Sequence, residues 1–211
     1  MTLLLVLDDA HLGNTLFMKA FGHSLGSLKG HRVAILHASE RYTDSLIQTG
    51  MFRSDAAVRA ARELNRKLVT WLADHGVSCA SMHGDQRSLF SMRNGTLNVD
   101  RAKLDSFAPQ STWLISTLAT LEDGTSGAVA LSEMARFLEI HIPADHVVIF
   151  SMSESDEILN PESNTHLDWS QRLDFIERLP AEFKDYSHPL VLSGTGSLGL
   201  IPDGKRLVTI R

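Results

Sequence analysis

Apolar and polar positions alternate in blocks along this chain. Leu3-Leu4-Leu5-Val6-Leu7 is an unbroken apolar block stopped by Asp8-Asp9, the pattern of a strand buried on both faces. Leu16, Phe17, Ala20, Phe21, Leu25 and Leu28 then recur at helical spacing, which predicts a helix over residues 13–28 ended by Lys29-Gly30. Arg32 to Leu36 predicts a second strand, and Glu40 to Thr49 a short helix closed by Gly50. A long helix is predicted from a cap at Ser54-Asp55, with Ala57, Val58, Ala61, Leu64, Leu68, Trp71 and Leu72 on one face and Gly76 as its stop.

The alternation continues. Val77 to Met82 predicts a third strand, and Asn94-Gly95 a hairpin between residues 89–93 and 96–99. Asp100 to Phe107 reads as a short helix, Thr112 to Ala119 as a fourth strand, Glu122-Asp123-Gly124 as a turn and Ala128 to Ile140 as a helix. Val147 to Ser151 is a fifth strand, Asp168 to Leu179 a further helix, and Leu190 to Ser193 and Arg206 to Ile210 are late strands. Repeated strand–helix alternation implies an α/β three-layer sandwich with a mostly parallel central sheet and helices on both faces. Ligands on such sheets sit at the carboxyl ends of the strands. Function is therefore expected in the loops after Leu7, Leu36, Met82 and Ser151. The polar stretch 151–166, with Pro161, is expected to be a linker or flap.

Composition narrows the function classes. The 211 residues carry a net charge of −5, and the 20 basic residues form no dense block, so no nucleic-acid footprint is expected. The first apolar block falls far short of the roughly 20 residues that span a bilayer, and a cytoplasmic protein with no membrane partner is expected. The lone Cys79 excludes an internal disulfide framework. It reads as a small buried hydrophobe. Ser193 and Ser197 lie in no GxSxG elbow.

Gly194-Thr195-Gly196-Ser197-Leu198-Gly199 fits GxGxxG, but Pro202 and a turn follow where a dinucleotide site needs a helix and a second strand. A glycine-rich bend is expected instead. His11, His37 and His83 fall at or just after strand ends, near Asp8, Asp9 and Asp85. Together they could bind a divalent metal or supply a general base; alternatively they are unrelated loop residues. Of Asp8 and Asp9, adjacent residues that point to opposite faces, one is expected to cap a helix and the other to face a cleft.

Asn65-Arg66-Lys67-Leu68-Val69-Thr70-Trp71-Leu72-Ala73-Asp74-His75-Gly76-Val77, the following Gly84-Asp85, the Asn94-Gly95 hairpin, Thr112 to Ala135 and Val147 to Asn160 together resemble the amino-acid kinase superfamily, closest to N-acetylglutamate kinase. The catalytic motifs are degenerate. Where the family has a lysine and a Gly-Gly-Ser loop, this chain has Leu7-Asp8-Asp9-Ala10. His-Gly-Gly-Gly becomes His37-Ala38-Ser39-Glu40, Asn-x-Asn-Ala-Asp becomes Ser126 to Leu131, and Thr-Asp becomes Ser151-Met152. The resemblance implies a substrate-type lobe over 1–145 and a curtailed nucleotide-type lobe over 146–211, or a single domain. It implies a ligand site at Asp8, Asp9, Gly13, His37, Ser39, Gly84 and Asp85, and homo-oligomers. A diverged protein binding a small anionic metabolite, or a regulatory or structural subunit, is expected. The alternatives are an active kinase of a small carboxylate or phosphate, using ATP and Mg, and a metal-handling protein holding its ion at His11, His37 and His83.

Overall fold

The computed structural model describes residues 1–107, 112–151, 163–170, 179–204 and 207–211. Its elements run β1 (Thr2–Leu7), α1 (Asp9–Leu12), α2 (Thr15–Leu25), β2 (Arg32–His37), α3 (Glu40–Ile47), α4 (Arg53–Asp74), β3 (Cys79–Met82), β4 (Phe90–Arg93) and β5 (Thr96–Val99). They continue α5 (Arg101–Asp105), β6 (Thr112–Ser116), β7 (Leu118–Thr120), β8 (Ser126–Ala128), α6 (Leu131–His141), β9 (His146–Phe150), β10 (Thr165–Leu167), β11 (Leu190–Ser193) and β12 (Val208–Ile210). Among the described residues the larger sheet has eight strands in the order β10-β12-β11-β9-β1-β2-β6-β3. Only β11 and β12 pair antiparallel in it. A smaller sheet, β5-β4-β7-β8, stands beside it.

β1 shows why the sheet has helices on both faces. Successive side chains of a strand point to opposite sides. Leu3, Leu5 and Leu7 pack with Phe17, Phe21 and Leu25 of α2 and with Leu68 and Leu72 of α4. Leu4 and Val6 pack on the other side with Met134, Ala135 and Leu138 of α6. Both sides being covered, every position from Leu3 to Leu7 is buried and apolar, and each such side chain contributes about 2 kcal/mol of hydrophobic stabilisation. The three-layer α/β architecture with a mostly parallel sheet is as expected. One sheet runs through both halves of the chain, since β9 pairs directly with β1.

Several boundaries differ from the sequence pattern, each for a local reason. The helix expected over 13–28 begins only at Thr15, where Asn14 Oδ1 accepts the amides of Leu16 and Phe17 at 3.0 and 3.1 Å and caps α2; α1 precedes it as a separate, unexpected turn of helix. α2 ends in a 3-10 turn, Gly26–Leu28. The strand expected over Thr112 to Ala119 is two strands. β6 stays in the larger sheet, and after Thr117 the chain crosses into the smaller sheet as β7. Ala128, expected at a helix start, ends β8 instead, and α6 begins at Leu131. The hairpin at Asn94-Gly95 has both residues left-handed, φ 51° and 71°, as the tight two-residue turn requires. Thr195–Asp203 forms 3-10 helix after β11. The helix expected over Asp168 to Leu179 and the flap expected over 151–166 lie largely outside the described residues.

Candidate functional site

A cavity of about 1000 Å³ opens at the carboxyl ends of β1 and β2, walled by the start of α4 and by β8 with the segment leading into α6. Its position follows from topology. A parallel sheet delivers several strand ends to one edge, and the loops that leave them build the site. The substituted motif Ser126 to Leu131 lines it continuously.

The lining is acidic. Asp8, Asp9, Glu40, Asp55, Asp123 and Glu182 face it, against one guanidinium, Arg53. Four of these carboxylates are engaged. Asp8 Oδ1 accepts the His11 amide at 2.9 Å and bonds His11 Nδ1 at 2.6 Å, capping α1. Burial alone would raise the Asp8 carboxyl, but these bonds to His11 outweigh it and hold it below its ordinary value. Asp9 accepts the amides of Glu40 and Arg41 at 3.2 and 3.1 Å, so it closes the N-terminus of α3 from another part of the chain. Burial pushes its carboxyl up, helped by the neighbouring Asp8 charge and opposed by the two amides. Asp123 Oδ1 accepts from Thr125 N and Oγ1, and Glu182 accepts the Ser132 amide of α6 at 2.9 Å. Glu40 and Asp55 have no partner for their carboxylates among the described residues. Among the described residues Arg53 pairs with Asp44 alone, at 3.4 Å on the surface.

The Asp9 contact gives a direct expectation. Asp9→Ala should lower stability by about 1 kcal/mol, as loss of a helix cap does. Urea denaturation reads this, and an unchanged midpoint would show that α3 does not depend on Asp9.

Of the residues marked in the sequence, Asp8, Asp9 and Ser39 line the cavity. Gly13, His37, Gly84 and Asp85 lie outside its lining. Gly13 closes α1, with the Arg41 guanidinium 3.0 Å from where its Cβ would stand. Gly84 packs under Phe90. The Asp85 side chain, 2% exposed, binds Arg62 of α4 and accepts Ser126 Oγ of β8 at 2.7 Å. It braces the cavity wall from behind.

The three histidines do not gather. His11 is buried against Phe17, ring centroids 4.5 Å apart. His37 is enclosed between β2 and α4, its Nε2 bonded to Asn65 Nδ2 at 3.1 Å. His83 bonds Ser116 Oγ through Nδ1 at 2.8 Å and lines a different crevice. Among the described residues no three His, Cys, Asp or Glu side chains form a group able to hold a metal ion. Strand pleating is the reason: residues at neighbouring strand ends need not point the same way.

Sequence reasoning missed Glu40, Asp55, Asp123 and Glu182. Their signal was faint. Glu40 and Asp55 stand at predicted helix starts and Asp123 in a predicted turn, and only the fold brings them to one cavity.

No family model and no curated protein matches the chain in sequence. Solved structures do match in shape. A structure of isopentenyl phosphate kinase superposes with a TM-score of 0.68 at 10% identity, over 100% of this chain and 100% of that one. An aspartate kinase from Synechocystis gives 0.65 at 12% identity, over 99% of this chain and 39% of that one. An N-acetylglutamate synthase from Neisseria gonorrhoeae, complexed with coenzyme A and L-arginine, gives 0.63 at 13% identity, over 99% and 61%. The chain has the amino-acid-kinase fold. No helix among the described residues is long and apolar enough to cross a membrane.

Proposed function

We propose that this protein uses the cleft of an amino-acid-kinase fold to bind a small molecule carrying a cationic group, such as a primary amine, and that it does not phosphorylate by the family's usual route. The acidity of the cavity carries this reading. Six carboxylates face it against one arginine, and no lysine lines it among the described residues. Phosphoryl transfer relies on positive charge placed around the transferring group. A cluster of carboxylates repels that group and attracts a cation. The small anionic ligand expected from the resemblance would meet the wrong sign of charge. Glu40 and Asp55, the two carboxylates without a partner, are the natural seat for an ammonium group. Asp8 and Asp9 are already held by His11 and α3 and shape the floor.

A second reading is an active ATP-dependent kinase in which Mg²⁺ offsets the acidic lining. It is favoured by the isopentenyl phosphate kinase and aspartate kinase among the similar folds. Magnesium takes carboxylate oxygens together with phosphates, and Asp8 and Asp9 would be the ligands to expect from the first strand end.

Calorimetric titration separates the two. Benzylamine should bind, and the double variant Glu40→Gln/Asp55→Asn should weaken it at least about tenfold, the scale of one or two charge-assisted hydrogen bonds. N-acetylglutamate and ATP–magnesium should give no heat that Glu40→Gln/Asp55→Asn alters. Binding of ATP–magnesium with release of ADP on adding a small acceptor would favour the kinase and sink the proposal.

A further inference from the structure

A second crevice, of about 500 Å³, lies between the loop after β3 and α5 and shares no lining residue with the first. Its character is opposite. Arg87 and Lys103 line it with His83, Leu89 and Phe107, and no carboxylate does among the described residues.

Three features mark it as more than a surface dent. Arg87 and Ser88 are consecutive non-glycine residues in the left-handed region, φ 54° and 52°, a conformation such residues seldom adopt. Lys103 holds that turn, its Nζ donating to Arg87 O at 2.6 Å and pairing with Asp100 at 2.6 Å. The Arg87 guanidinium itself has no ion-pair partner among the described residues. The far wall is apolar, with Leu89 buried and the Phe107 ring 6.2 Å from Trp113. Gln86 and Ser106 complete the lining, so two apolar side chains stand beside convergent polar groups, the two kinds of contact that small-molecule pockets combine.

We propose that this crevice binds a small organic oxyanion, a carboxylate or phosphate head on an apolar body, with the head at Arg87 and Lys103 and the body against Leu89 and Phe107. The unpaired guanidinium offers a fork that matches either head group. The proposal stands apart from the reading of the acidic cleft, because a ligand of opposite charge and different residues are involved.

The test is titration of the 211-residue chain, followed by calorimetry and by amide shifts in a ¹⁵N–¹H correlation spectrum. The probes are benzoate, phenyl phosphate, inorganic phosphate and benzylamine. Benzoate or phenyl phosphate should bind and shift the amides of Arg87, Leu89, Lys103 and Phe107, and the tighter of the two identifies the head group. Arg87→Gln, which breaks no ion pair among the described residues and keeps the backbone carbonyl that Lys103 bonds, should weaken that binding at least tenfold, and Arg87→Gln/Lys103→Gln should abolish it. Inorganic phosphate, lacking the apolar body, should bind more weakly than phenyl phosphate. Benzylamine should leave these amides unmoved. The proposal is overturned if neither organic anion binds, if Arg87→Gln binds like the wild type, if the shifts fall at Ser39 and Glu40 instead, or if inorganic phosphate matches phenyl phosphate.

Discussion

Lowering the pH from 7 to about 4 should remove roughly 3 kcal/mol of folding stability through His37 alone. This side chain is completely buried. Asn65 Nδ2 donates to its Nε2 at 3.1 Å, and its Nδ1–H donates to Ala38 O at 3.1 Å, so both ring nitrogens are satisfied with the ring neutral. Burial pushes its pKa down to about 4 from 6.5, the Ala38 carbonyl opposing the shift and nearby His83 adding to it. The sign follows from proton counting. Between pH 6.5 and 4 the unfolded chain holds a proton here that the folded chain refuses, so stability falls as pH falls. Above 6.5 neither state is protonated and the contribution is flat. His83, His141 and His146 are also pushed down by burial and act in the same direction, so the wild type alone does not isolate His37. Urea midpoints of the wild type and His37→Gln at pH 7 and pH 4 do. The difference between the two proteins should change by about 3 kcal/mol across that interval. Parallel profiles would mean that His37 titrates normally.

Gly84→Ala should destabilise by about 3 kcal/mol, the upper end for overpacking. A Cβ at this position would stand 2.2 Å from Phe90 Cδ2 and 2.3 Å from Leu118 O. Neither neighbour yields easily. Phe90 is fully buried and packs edge-to-face on Phe137 at 5.2 Å, and Leu118 O belongs to the backbone of β7. Something in the smaller sheet must move, and with it the β7–β8 wall of the acidic cleft. Gly196→Ala is the matched control. Nothing lies within 4 Å of its Cβ position, and its effect should stay within about 0.5 kcal/mol. Chemical denaturation reads both. Equal midpoints for the two variants would show that both Phe90 and the β7 backbone give way without resistance.

The parts of this fold that the sequence reveals are those where both faces of an element are buried or one face is strongly periodic. Leu3 to Leu7 could be read because every position is apolar, and α4 because its face repeats over six turns. β7, β8 and β10 have three residues each, too few for a period to show. The acidic cleft was legible only at its floor. Asp8, Asp9 and Ser39 follow strand ends, whereas Glu182 comes from a 3-10 turn that only tertiary folding brings near α6. His37 lies outside the lining of the cleft for a reason the pleat already contains. Ala34, Leu36 and Ala38 belong to the cluster on the α6 side, and Val33 and Ile35 to the α2–α4 side. By alternation His37 joins Val33 and Ile35 and turns toward α4 rather than into the cleft.

The place of β1 in the larger sheet bears on how the chain is made. It emerges before the other strands of its sheet during synthesis, and it lies within the order, between β2 and β9. One of its edges is covered as soon as residues 32–37 appear. The other, along Leu3 to Leu5, stays open until residues 146–148 arrive. For that interval the growing chain carries an apolar strand edge with no partner, the kind that sticks to other chains. Such distant pairing also makes for slow refolding. A strand buried at five of its six positions in the finished protein therefore stands open along one edge before completion.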